Sequence, residues 1–220
     1  MPRTETALYA YQAGKTSPIP ILSPYHLESC LPKPGPGLRS QASIELAVCD
    51  AEMLIKQSAD LDEALVGLTQ LLGTRLPVAF CRLLLADKDL RSLTAKAAYS
   101  VIGLFDSELE LSHSIPLTVL PDGLRLAHLR YSLVGPYREL SVKQKLSAYS
   151  NSLGMGKPLT TLLLVPLKHN GQLLGVIELG EIDVKTTQHL KAEDVQAIVL
   201  YTPRLAGSLM DRFDSELCSA

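Results

Sequence analysis

Two apolar runs, at positions 162–167 and 173–179, flank Asn170-Gly171 in the stretch TTLLLVPLKHNGQLLGVIELGE. Asn-Gly readily adopts the positive φ angles of a two-residue hairpin turn, so the pattern predicts two antiparallel strands joined tightly. Side chains alternate along a strand, which places Leu163, Val165 and Leu167 on one face and Leu162, Leu164 and Pro166 on the other. Both faces are apolar. Such a strand lies within a sheet that is covered on both sides.

The remaining periodicities supply the covers. Ile44, Val48, Ala51 and Ile55 recur at helical spacing, and Ser58-Ala59-Asp60 interrupts them. Asp60 with Glu63 forms a capping-box pattern ahead of Leu61, Leu65, Leu68 and Leu72, and Gly73 is the expected end of that helix. Residues 77–86 (PVAFCRLLLA) read as a strand that turns at Asp87-Lys88-Asp89 and returns over 91–99. A short strand at 114–118 follows, then a short helix opening at Pro121-Asp122-Gly123, a strand from Tyr131 into a loop, and a polar helical turn at 141–150. After a polar loop at 183–189, residues 192–213 carry Val195, Ile198, Thr202, Leu205, Leu209 and Phe213 along one helical face. Pro203 sits inside this pattern and predicts a kink near Val199, at a cost of about 3 kcal/mol. The order implies an α+β fold: a central antiparallel sheet of about five to six strands, terminal helices on one face, and short helices and loops on the other.

Composition adds boundaries. Seven of the 14 prolines fall within residues 1–40, which read as a linker or loosely attached arm. Docking of 19–22 as an extended piece is the alternative. Residues 41–215 form the expected single domain, with 216–220 as a tail. A net charge of -2 gives no general attraction to nucleic acid or to an anionic membrane, and the absence of Trp weakens base stacking. No apolar run approaches the roughly 18–20 residues of a membrane span, and MPRTETALYAYQ has no secretory apolar core. Four scattered cysteines fit reduced thiols in the cytoplasm.

The search for chemistry returns little. Gly154-Met155-Gly156-Lys157 invites comparison with a phosphate loop, but Asn151 and Pro158 stand where glycine and Ser/Thr are required. The five histidines show no metal spacing, and no GxSxG elbow is present. His113 and His128 suit either a pocket wall or a structural role. Cys81, between Phe80 and Arg82 on a core strand, fits a small buried hydrophobe better than a nucleophile. Glu178, on the expected face of Leu174 and Val176, either reaches solvent from a strand end or supplies a polar group at a pocket mouth. No acid/base pair assembles. The sequence therefore predicts no catalysis, cofactor or metal.

Several segments in order resemble the GAF domain, the small-molecule sensor module of signalling proteins. Leu61-Asp62-Glu63-Ala64-Leu65 is similar to that family's first helix, and 78–87 to its first strand. Ser114-Ile115-Pro116-Leu117 and Leu124-Arg125-Leu126-Ala127 are similar to its middle strand and short helix. The hairpin at 163–179 is close to the family's LxVPLxxxGxxLGVLEL stretch, and Ala192-Glu193-Asp194-Val195 opens a similar terminal helix. Lys191, where a capping Ser, Thr or Asp is common, and Pro203 depart from the pattern. No bilin-anchoring cysteine, cyclic-nucleotide set or clustered reductase cysteines accompany the resemblance.

The resemblance implies a ligand cavity opposite the terminal helices, lined by Leu83, Tyr99, His113, Tyr131, Tyr137, Tyr149, Leu163, Val165, Val176 and Glu178. It further implies a non-catalytic sensor for an unidentified small molecule, signalling through its terminal helices to a homodimer mate or a signalling partner. A pocketless interaction or dimerisation module is the alternative expectation.

Overall fold

Helix α1 (Gln41–Gln57) ends where Ser58 Oγ donates to the Leu54 carbonyl (2.7 Å), and α2 (Leu61–Arg75) begins four residues later. The predicted capping box is present. The Glu63 N–H donates to Asp60 Oδ1 (2.8 Å), while Glu63 Oε2 accepts from the Ala59 N–H (2.6 Å). The computed structural model describes residues 41–87, 89–100, 114–135, 140–182 and 190–219. The proline-rich arm at 1–40, the loop at 183–189, His113 and Tyr137 lie outside the described residues.

Six strands form one sheet: β1 (Phe80–Ala86), β2 (Ser92–Ser100), β3 (Ser114–Pro116), β4 (Ser132–Val134), β5 (Leu159–His169) and β6 (Gln172–Ile182). Their order is β3-β2-β1-β6-β5-β4, with every neighbouring pair antiparallel. The two hairpins thus meet along β1 and β6 at the centre. Asn170 (φ 50) and Gly171 (φ 80) make the predicted turn. A 3-10 turn (Gly123–Arg125) and α3 (Leu140–Ser152) lie between the hairpins in sequence, and α4 (Ala192–Ser219) closes the described chain.

The terminal helices cover one face, as the sequence predicts. Val48, Ala51 and Ile55 of α1, the leucines of α2, and Val195, Ile198, Leu205, Leu209 and Phe213 of α4 bury against Cys81, Leu83, Leu163, Val165, Leu167, Ile177 and Leu179. The second face carries Phe80, Leu84, Leu162, Leu164 and Val176, covered by Leu117, Leu120, Leu126, Leu146 and Tyr149. Lys168 Nζ donates to the Leu129 carbonyl (2.7 Å), and Ser150 Oγ accepts from the Leu159 N–H (2.8 Å), which tie this second cover to β5.

One local expectation changes, and two departures from the family pattern are accommodated. Helix α2 continues through Gly73 to Arg75, because Gly73 serves close packing and does not cap: an added Cβ would lie 2.0 Å from Tyr99 Cδ1. Helix α4 runs unbroken through Pro203, whose ring is exposed, while Thr202 Oγ1 donates to the Ile198 carbonyl (2.7 Å). The missing cap at Lys191 is replaced from inside the helix, since the Lys191 N–H donates to Asp194 Oδ2 (2.9 Å).

Candidate functional site: a buried polar cluster on the second face

Bulges decide which residues reach the second face. In β2 the partner of Leu83 is Ala97 and that of Leu84 is Ala95, so Lys96 is an extra residue. Leu93 and Ala95 therefore face the second cover, whereas Ala97 and Tyr99 face the helices. In β6 Leu167 pairs with Gly175 and Lys168 with Leu173, which makes Leu174 the extra residue. Leu174 thus joins the helix-side core and parts from Val176 and Glu178, correcting the expected common face. Gly175 fits this bulge because a Cβ there would lie 2.2 Å from the Leu84 carbonyl oxygen.

Glu178 lies opposite Arg82 in the central β1–β6 pair and has no solvent exposure. It is neither at a strand end nor solvated, because β6 extends to Ile182. Arg82 Nε donates to Glu178 Oε2 (2.8 Å), and Arg82 Nη2 approaches the same oxygen at 2.6 Å. Arg82 Nη2 also donates to the Tyr149 hydroxyl (2.8 Å), which α3 delivers from the cover. The Arg82 guanidinium stands 6.0 Å from the Phe80 ring centroid. Glu178 Oε1 is buried and has no hydrogen-bond partner among the described residues.

The electrostatics follow from this geometry. Burial works against the Arg82 charge, yet the adjoining Glu178 carboxylate and Tyr149 raise its pKa overall. Burial, reinforced by Glu178, holds the Tyr149 phenol well above its ordinary value. The same two causes push up the Cys81 thiol, which sits fully buried on the helix side. Cys81 is therefore a protonated core residue at neutral pH, as its sequence position predicts. Among the described residues, no group of three or more His, Cys, Asp and Glu is placed to hold a metal ion.

Of the ten residues expected to line a cavity, the structure brings three together on the second face: Tyr149, Val176 and Glu178. Leu83, Leu163 and Val165 point to the terminal helices, and Tyr99 packs beside them. The one-residue periodicity of strands makes this outcome sensitive to the bulges. Tyr131 is 41% exposed just before β4. Arg82 is the functional residue that the expectation omits. Its signal is a lone cation in an apolar strand, set against a carboxylate within the apolar run of the partner hairpin.

No protein-family profile matches the sequence, and no curated protein matches it. Solved structures do. The chain resembles the GAF domain of a phosphoenolpyruvate-protein phosphotransferase from Coxiella burnetii at 16% identity and a TM-score of 0.61, covering 81% of this chain and 99% of that one. A phycoerythrobilin-bound GAF domain of a cyanobacterial phytochrome matches at 13% identity and a TM-score of 0.62, over 80% and 100%. A free methionine-R-sulfoxide reductase from Neisseria meningitidis, solved with its substrate, matches at 16% and 0.58, over 84% and 96%. The chain has the GAF-domain fold.

Proposed function

We propose that the chain is a non-catalytic cytoplasmic module that senses a small molecule at the Arg82–Glu178–Tyr149 cluster and signals through α1 and α4. The observation that carries this reading is Glu178 Oε1, a buried carboxylate oxygen without a donor among the described residues. An unsatisfied buried acceptor costs about 1–3 kcal/mol, which a ligand N–H or O–H recovers on binding. Transmission needs no long path. Arg82 and Glu178 alternate with Cys81, Leu83, Ile177 and Leu179, whose side chains contact the terminal-helix core through the same two strands.

A thermal-shift screen of a metabolite library, followed by native mass spectrometry, tests the proposal. At least one hydrogen-bond-donating compound should raise the melting temperature of the wild type, and Glu178→Gln should abolish that rise. No responding compound, or an undiminished response in Glu178→Gln, would overturn it.

A second reading, a ligand-free interaction module, is favoured by one observation. Phe80, Leu84, Leu126, Leu164 and Val176 around the cluster are all fully buried by the chain's own side chains. In that case the exposed Met53 of α1 and Leu200 of α4 mark the helix surface that a second copy would cover. Light scattering separates the two readings: a tight dimer without ligand response supports the module, and a ligand-responsive monomer supports the sensor.

A further inference from the structure

Among the described residues, the segments that cover the second face have a charge bias that the net charge of the whole chain conceals. Among the described residues between Ser114 and Gly171, the cations are Arg125, Arg130, Lys143, Lys145, Lys157 and Lys168. The only carboxylate among those residues that precedes β5 is Asp122, and its Oδ2 already accepts from Ser132 Oγ (2.8 Å). Arg125, Arg130, Lys143, Lys145 and Lys157 are exposed and form no ion pair among the described residues. Two cations on the helix side are engaged instead: Arg75 with Asp50 (3.5 Å) and Arg204 with Glu52 (2.7 Å).

Apolar side chains are interspersed with these charges. Leu140 is 71% exposed and Leu124 69%, and Val119 and Tyr131 of the same layer are also exposed. Leu120, Leu126, Leu146 and Tyr149 take the sheet-facing positions of both covering segments, which leaves Leu124, Leu140 and the cations on the outward side.

We propose that this outward side is a docking surface for an acidic, leucine-containing segment of a partner protein. Carboxylates of such a segment meet Arg125, Arg130, Lys143 and Lys145, and its apolar side chains cover Leu124 and Leu140. Charge complementarity of this kind steers encounter and fixes register. A membrane fits less well. Helix α3 spends Leu146 and Tyr149 on the sheet, and its outward positions Ser141, Lys143, Gln144, Lys145 and Asn151 offer no apolar stripe to insert. Single-stranded nucleic acid fits less well too, since Tyr131 is the one exposed aromatic side chain on this layer among the described residues.

Fluorescence anisotropy of the full chain with a short labelled peptide of alternating Glu and Leu tests the proposal. Binding should weaken as salt rises, and should fall about tenfold or more in the Arg125→Glu, Lys143→Glu, Lys145→Glu triple variant. Leu124→Ser with Leu140→Ser should weaken it further, a Glu/Ser peptide should bind less well, and Lys56→Glu on α1 should leave binding unchanged. All substituted side chains are exposed, and circular dichroism checks that each variant folds. Absence of binding at low salt would overturn the proposal. So would equal binding of the Glu/Leu and Glu/Ser peptides, an unaffected triple variant, or preference for phosphatidylserine vesicles over the peptide.

Discussion

The two faces of the central sheet are built by different rules. The helix side is apolar at its centre, where Leu83, Leu163, Val165 and Leu179 meet stripes from three helices. Buried polar groups on its strands appear only towards its edge, at Thr161 and Glu181. The second side has an equally buried apolar rim, but an Arg–Glu–Tyr cluster stands at its centre. Close packing of hydrocarbons dominates the first face. The second depends on charges whose removal from water must be offset by their mutual geometry, and among the described residues Glu178 Oε1 is left without a donor. The buried ion pair is what sets the second face apart, and it is the ground on which the proposed site stands.

The comparison can be broken most severely at the cluster. Glu178→Ala leaves Arg82 buried and unpaired and should cost about 3–5 kcal/mol in chemical denaturation. The Arg82→Met, Glu178→Leu double variant should recover most of that loss. If the double variant is as unstable as the single one, the contrast between the faces fails. On the helix side Leu83→Ala should cost roughly 2–5 kcal/mol, with no polar rescue available.

Gly175→Ala tests how the faces are kept in register. Its Cβ would collide with backbone, not with a yielding side chain, so a loss of about 1–3 kcal/mol is expected in the same assay. Alkaline titration sharpens the comparison without mutation. Tyr149 has a folded pKa above its unfolded one, so its contribution is fully present below the unfolded value near about 10 and is lost as pH rises through the folded value. Denaturation midpoints should therefore fall through this window, and Tyr149→Phe should flatten the fall. The smallest effect lies on the outer side of α4. Gly207 has open space around its Cβ position, so Gly207→Ala should stabilise the protein by about 0.5–1 kcal/mol, visible as a modest rise in melting temperature.

Much of this architecture is legible in the sequence. The Asn170-Gly171 hairpin, the Asp60–Glu63 cap and the stripes on α1, α2 and α4 follow local rules of turn geometry and periodicity, and the structure contains them. The facing of Tyr99 and Leu174 is a different kind of fact. It depends on extra residues at Lys96 and Leu174 whose presence is set by how two strands register against each other. The cluster was half legible for a similar reason. Glu178 stands out in its strand, but its pairing with Arg82 spans 96 positions and is fixed only when β1 meets β6.

The bulges also bear on how such a domain accumulates insertions and deletions. In both hairpins the extra residue lies between the turn and the part of the strand that carries the deeper core: Lys96 before Ala97 and Tyr99, Leu174 before Val176 and Glu178. Removing either would exchange the helix-side and second-side residues on one side of the lesion without altering a single remaining side chain. A compensating gain of one residue elsewhere in the same hairpin would restore the exchange. Length changes in these hairpins are thus expected to arise as matched pairs within one hairpin, and alignments made by counting positions will misplace the residues between them.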